Sequence, residues 1–520
     1  MLSISLLLAI AAAVFVLEYA TSTWNHSRKA RAWGCGDLPR YPADILGVSS
    51  LKQSLKADKA KKIPLIPQRR IEEMSIQEGR PVTSFRIRQM GRDNIFTCDP
   101  VNVQAMLAHK FKDFELGAAR RHTLLPMLGT GIFTSDGEAW SRSRSLLRPQ
   151  FTRDQISDLD LEETHVQQAM RAMPVDAVTR WTADTDIQSI FFRLTIDSAT
   201  EFLFGESTNS QAEALRTGGQ LPPTHFSKDF DRGQWYAAQR TRYEKFHWLV
   251  DNQESADINK RVHAYVDNFV NDALKAVASG KSHSDHYVFS EALAEATKDP
   301  VELRSQLLNI LLAGRDTTAS LLSWSLQMLA RHPDVLKKLR QTILDDFGPY
   351  TPTRDENRIT FASLKSCRYL QYFMNEVLRL YPVVPLNRRM ATVDTTLPRG
   401  GGPDGTMPIY LRAGQSVTYS PFVTQRKKDI WGPDAEEFNP DRWFDAKAGW
   451  EYLPFNGGPR VCIGQQFALT EAGYVLVRLL QRFDAIEDCF PAREISYSLT
   501  MTLAPGDPVT VRLHEAEAEA

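Results

Sequence analysis

The chain has 520 residues, 42% of them apolar and 24% charged, with a net charge of −1. That composition allows a large buried core, and the evenly mixed charges leave no basic footprint for nucleic acid. Its five cysteines, at 35, 98, 367, 462 and 489, form no CxxC or CxxH pair, which argues against a disulfide framework and a zinc site.

The first element is an apolar run from Leu2 to Leu17, stopped by Glu18 and followed by the basic "RKARAW". A membrane-spanning helix needs roughly 20 apolar residues, so the run is short. No basic residue precedes it, against a cleaved signal peptide, and the charge behind it leaves the N-terminus lumenal. Residues 1–20 are therefore expected to be a transmembrane signal anchor, 21–50 a polar, proline-containing connector, and 51–520 the main folded domain. "KQSLKADKAKKIPLIPQRR" is basic enough to lie against an anionic membrane face, and an ordinary solvated helix explains it equally well. "SFRIR" near residue 85 alternates like a strand, and "VNVQAMLAHKF" resumes helical spacing.

In "WSRSR", an indole N–H (Trp140) and a guanidinium (Arg144) stand one turn apart and can donate to one anionic group; taken alone, a solvated basic helix fits as well. Residues 205–290 are polar, aromatic-rich and weakly patterned, and helical runs follow near 300–331, 334–346 and 361–380. "LLNILLAGRDTTASLLSWSLQML", 307–329, has the length of a second membrane span. Arg315 and Asp316 at its centre would each cost about 2.5–3.5 kcal/mol there, so a helix buried in a soluble core fits better. Gly314 opens room beside that helix, and Asp316 and Thr317 make a polar notch able to handle protons near a dry site. "EVLR" places Glu376 and Arg379 at i,i+3, a pair worth only a few tenths of a kcal/mol if it lies on the surface. "LPRGGGPDGTMPIYLRAGQSVTYS" reads as a Gly/Pro turn leading to short strands. No linker, repeat or composition break divides the chain after the connector. The fold class is mostly α with a small β part.

"FNGGPRVCIG", 455–464, sets Cys462 on a tight loop before the amphipathic "QQFALTEAGYVLVRLLQRF". A helix N-terminus stabilises a thiolate, which serves either as nucleophile or as metal ligand. A nucleophile wants a nearby base, and eleven scattered histidines single out none. A lone thiolate suits a haem, whose macrocycle supplies the in-plane ligands. Gly457, Gly458 and Gly464 would let backbone approach that flat ring, and Arg460 could meet a propionate.

Taken in this order, the segments resemble the cytochrome P450 superfamily over nearly the whole chain. "FNGGPRVCIG" matches the haem-binding loop FxxGxRxCxG. The resemblance implies that Cys462 is the axial thiolate on the iron of a non-covalent haem b, with Phe455 close to the sulfur and Gly458 and Gly464 shaping the loop. "AGRDTT" matches the oxygen-binding notch, making Thr317, with Asp316 beside it, the proton-delivering group. "EVLR" and "FNPDRW" match the structural set Glu376, Arg379 and Arg442. Trp140, Arg144, Arg460 and Arg389 match haem-propionate contacts. Finer likeness, in "NGGPRVCIGQQFALTEA", "LRLYPVVPLNRR" with "DTTLPRGGG", and "DGEAWSRSRSLLRPQF", is to the fungal microsomal group that hydroxylates n-alkanes and fatty acids, mostly at the chain end. Ala313 stands where some animal relatives carry a haem-linking glutamate. Arg388 departs from that fungal group, which usually has an apolar residue there.

The implied activity is a monooxygenase using O2 on a small hydrophobic substrate. Electrons would come from NADPH through a separate NADPH–cytochrome P450 reductase, with or without cytochrome b5. The implied location is the endoplasmic reticulum membrane, single-pass, with the catalytic domain cytosolic. By family position Leu124, Leu308, Val384 and Leu386 are candidate substrate-lining residues, with core packing an even alternative. Arg120, Arg121 or Arg388 could anchor a carboxylate. A monooxygenase of a biosynthetic pathway acting on another hydrophobic metabolite is the main alternative, a non-catalytic haem sensor a distant one, and a thiol-dependent hydrolase a third.

Overall fold

Pro300–Arg331 forms the helix on which the rest assembles. The Asp299 side chain accepts hydrogen bonds from the backbone N–H groups of Val301 and Glu302, and Pro300 opens the first turn, both favourable helix starts. Apolar residues occupy nearly its whole circumference, the pattern of a helix with no solvent face. It packs against Ile187–Phe204, Gln253–Ser279, Arg368–Leu380 and Gln465–Arg482. Trp324, fully buried on it, stacks on Tyr381 with ring centroids 4.2 Å apart. The computed structural model describes residues 4–151, 159–280, 287–355 and 358–517.

The small β part is mainly a five-stranded sheet, in the order Ser84–Gln89, Arg92–Thr97, Ser416–Tyr419, Asn387–Ala391 and Phe114–Glu115. Asn387–Ala391 runs antiparallel to Ser416–Tyr419 with Arg388 opposite Thr418 and Arg389 opposite Val417. Side chains alternate faces along a strand, so these consecutive arginines point opposite ways.

Between residues 205 and 290, where the sequence is weakly patterned, stand two long helices, Phe226–Tyr243 and Gln253–Ser279. The second buries Ile258, Val262, Val266, Val270 and Ala273, a narrow stripe at helical spacing that charged neighbours mask, and Asn252 caps it reciprocally with Ser255. The run expected over 361–380 is two helices, Phe361–Ser366 and Arg368–Leu380, with Cys367 extended between them. Glu244, which ends Phe226–Tyr243, has φ 48° and ψ −116°. That conformation costs a non-glycine residue on the order of 1–3 kcal/mol.

The N-terminal helix, Ile4–Ala32, continues past residue 20 because no glycine or proline interrupts it before residue 34. Among the described residues no helix is long and apolar enough to cross a membrane; Glu18 ends the apolar run too early. The far end of this helix is seated on the hairpin of Thr395–Gly401 and Met407–Leu411. Lys29 pairs with Asp394 at 2.5 Å, and His26 Nδ1 shares a 2.8 Å hydrogen bond with the Tyr410 hydroxyl. The basic segment 52–70 lies on helices Val48–Lys59 and Leu65–Glu78, and its Lys61 and Lys62 pair with Asp507 and Glu494 near the C-terminus.

Candidate active site

The loop before Gln465–Arg482 is closed by a hydrogen bond from the Cys462 N–H to the Phe455 carbonyl at 3.0 Å. Gly458 is required twice over: its φ is +68°, and a Cβ there would lie 2.0 Å from the Leu107 carbonyl oxygen. Arg144 donates to the Val461 carbonyl at 3.0 Å and so holds the loop from the neighbouring helix Gly137–Leu147. Among the described residues Cys462 is the one exposed cysteine. Surrounding protein atoms raise the pKa of its thiol, while the Gly464 N–H and the Arg144 charge favour the thiolate. A sulfur that is ringed by protein, accessible and supplied with an N–H donor suits a ligand arriving from one side. Phe455 is half-buried and packs against the main core rather than standing free.

The middle of the central helix is almost wholly buried: between positions 305 and 326 only Ala313, Gly314 and Thr317 are not. These three share one face at i, i+1 and i+4. A Cβ on Gly314 would make ordinary contact with the Ala199 Cβ at 3.9 Å, so Gly314 looks toward helix Ile187–Phe204 and leaves Ala313 and Thr317 as the half-buried side chains of this stretch. The helix is unbroken here, and the Thr317 hydroxyl donates to the Ala313 carbonyl at 2.7 Å. Asp316 turns to another side. It accepts from Arg315 at 2.9 Å, and Arg315 also reaches Asp231, whose side chain is 54% exposed. Burial raises the Asp316 pKa to about 6, against the pull of the Arg315 charge.

Three arginines converge beside the loop. Arg120 and Arg389 both donate to the Asn387 side-chain oxygen, at 3.1 and 3.2 Å: two cations on one neutral oxygen. Arg460 donates to Asp136 at 2.8 Å and lies over the Trp140 ring at 4.4 Å. Burial and the Arg389 charge lower the pKa values of both Arg120 and Arg460 to about 10. So concentrated a positive charge is complementary to a dianionic ligand such as the paired carboxylates of haem, and with the accessible Cys462 sulfur the residues present fit that group. Of the pair expected to meet one anion, Arg144 holds the loop and the Trp140 ring lies beneath Arg460.

Glu376 and Arg379 are both fully buried, not a surface pair. Arg379 forks onto both carboxylate oxygens at 2.8 Å and donates further to the carbonyls of Gln425, Ala435 and Glu437. The carboxylate also accepts from the Asn439 N–H and the Trp443 indole, each at 2.9 Å. Arg442 stands 3.5 Å from Glu376 but forks mainly onto Asp434.

Of the substrate-lining candidates, Val384 is 36% exposed, while Leu124 and Leu308 are closed inside the helical core, with no surface for a ligand. Leu386 packs on the cluster of Phe85, Phe96 and Val423. Arg121 donates to the Thr134 carbonyl, and Arg388 pairs with Glu244 at 2.6 Å. Arg120 was separable from Arg121 only by the fold: adjacent arginines in "RRH" give no sequence signal for which one joins Arg389.

Comparison with known proteins adds to this geometry. The family profile described as Cytochrome P450 matches residues 71–504. "Cytochrome P450 monooxygenase g430" of Fusarium sp is 49% identical over 92% of this chain and 84% of its own. "Cytochrome P450 monooxygenase alt2" of Alternaria solani is 44% identical over 92% and 91%. "Cytochrome P450 52A10" of Candida maltosa is 46% identical over 82% and 83%.

Proposed function

The chain belongs to the cytochrome P450 family and is a haem-thiolate monooxygenase, and from that premise we propose that it hydroxylates long-chain n-alkanes or fatty acids at or near the chain end. The observation that carries the proposal is that Ala313, Gly314 and Thr317 alone interrupt the burial of the central helix between 305 and 326, small side chains that leave a place beside them for a slender apolar chain. The resemblance to the fungal microsomal group supports the same substrate class.

When bound, haem supplies oxygen activation and insertion into an unactivated C–H bond. Cys462 would hold its iron, with the Gly464 N–H donating to the sulfur. Arg120, Arg389 and Arg460 would neutralise its carboxylates. The Thr317 hydroxyl, which now donates to Ala313, can turn to hold a proton at the open face. Asp316, with a pKa of about 6, exchanges protons near neutrality, and Arg315 links it to the exposed Asp231. Electrons would come from NADPH through the membrane-bound NADPH–cytochrome P450 reductase, with or without cytochrome b5. The apolar start of the N-terminal helix supports attachment to the endoplasmic reticulum membrane with the catalytic domain cytosolic, checked by carbonate extraction of the full chain.

The test is reconstitution with that reductase, NADPH and a series of n-alkanes and fatty acids, followed by mass spectrometry of the products. Reductase-dependent terminal alcohols are expected. NADPH consumption without a hydroxylated product from any member of the series would overturn the proposal in favour of another hydrophobic metabolite.

A further inference from the structure

The helix that leaves the cysteine loop, Gln465–Arg482, packs against the central helix and against Asp160–Arg171, and Ile187–Phe204 packs on both of these neighbours. Where the four come together stand two carboxyl groups. Glu471 and Glu162 are only 3% and 4% exposed, and both reach the Ser198 hydroxyl, at 3.3 and 2.6 Å. A serine hydroxyl has one hydrogen to donate. The shorter bond takes it for Glu162, which leaves the Ser198 oxygen as an acceptor toward Glu471. An ionised carboxylate has no hydrogen to give it. Among the described residues no cation pairs with Glu471. Arg478, two turns further along the same helix, forks onto Glu163, and His165 of Asp160–Arg171 shares a 2.8 Å hydrogen bond with Glu201. Asp197 is engaged at the start of helix Ser210–Arg216, where it accepts from the Ser210 and Gln211 N–H groups. From the central helix the group facing Glu471 is the neutral Thr318 hydroxyl. Burial, and then the Glu162 charge, push the Glu471 carboxyl well above the usual carboxylate range, against the pull of Thr318 and Ser198.

We propose that Glu471 is a neutral carboxylic acid at neutral pH, donating its proton to Ser198, and that this proton holds the helix behind the cysteine loop against Asp160–Arg171 and the central helix. It makes the helix junction pH-sensitive, whatever the substrate. The folded chain binds one more proton here than the unfolded chain, whose glutamates ionise in the ordinary range. The stability contributed by Glu471 therefore falls as pH rises above that range, and it is level again once the folded carboxyl ionises. Loss of the proton leaves two buried carboxylates on one hydroxyl, and their repulsion loosens the helix that follows Cys462.

The test uses the haem-loaded full-length protein and two readouts. The infrared difference spectrum of wild type against Glu471→Gln at neutral pH is expected to show the carbonyl band of a protonated carboxylic acid. Ser198→Ala should shift that band without abolishing it, because the acid loses its acceptor and keeps its proton. Denaturant unfolding is then followed upward from about pH 5. Relative to Glu471→Gln, the folded-to-unfolded ratio of the wild type is expected to fall about tenfold per pH unit, the slope of one bound proton. A carboxylate band in place of the acid band would overturn the proposal, and so would a ratio between the two proteins that stays constant with pH. A Glu471→Gln chain that fails to fold would also contradict it, since the amide reproduces the shape and the hydrogen bonding of the neutral acid.

Discussion

Arg379 and Arg389 both lie inside the protein, yet their surroundings are opposites. Arg379 has a carboxylate fork, three carbonyls and the Trp431 ring at 5.3 Å, and its partner Glu376 is itself answered by Trp443 and Asn439. Arg389 shares the oxygen of a neutral amide with Arg120, and burial together with the Arg389 charge lowers the pKa of Arg120 and Arg460. The first region has every charge matched from within the chain, which is how a fold is held. The second keeps surplus charge, which folding alone would not favour and which the carboxylates of the proposed haem would answer. Matching of buried charge is thus a criterion for telling the proposed structural arginines from the proposed ligand-holding ones.

The contrast breaks most visibly at Glu376. Glu376→Gln leaves Arg379 buried without its counter-charge and is expected to cost about 3–5 kcal/mol in denaturant unfolding; a loss below about 1 kcal/mol would mean the pair does not hold the core. Arg120→Met should behave the other way. Haem transfer to a scavenger is expected to speed up about tenfold, while the stability of the haem-free protein changes by less than about 1 kcal/mol; equal losses in both would make Arg120 structural. The smallest effect concerns Asp316, whose pKa rises from 3.8 to about 6 on folding. Between those values the folded state binds more protons than the unfolded one, so this group's contribution to stability falls as pH rises from about 4 to about 6 and is level above. Asp316→Asn should therefore gain on the wild type across that window in unfolding experiments, and turnover should lose an acid limb near pH 6. A constant difference between the two proteins would remove Asp316 from proton handling.

Local patterns in the sequence carried much of this. The cysteine loop, the central helix, the ExxR pair and the mostly helical class follow from glycine spacing, apolar runs and charge positions that act within a few residues. What remained hidden depends on distant partners. Gln253–Ser279 reads as polar because its buried stripe is narrow. Burial of Glu376 and Arg379 depends on carbonyls some fifty residues away and on Trp443. Leu308 and Thr317 lie on the same helix, yet one is sealed in the core and the other opens to the site, a difference set by which neighbours cover each face. Arg388 stood out by type alone; its pairing with Glu244 required the fold.

Everything proposed for the site turns on Cys462. The most direct measurement is the difference spectrum of the haem-loaded, dithionite-reduced protein with carbon monoxide, for the wild type and Cys462→Ser. The strongly red-shifted band of thiolate-bound haem is expected in the wild type and absent from the variant. A folded, haem-loaded wild type without that band, or a variant that keeps it, would mean that Cys462 is not the ligand.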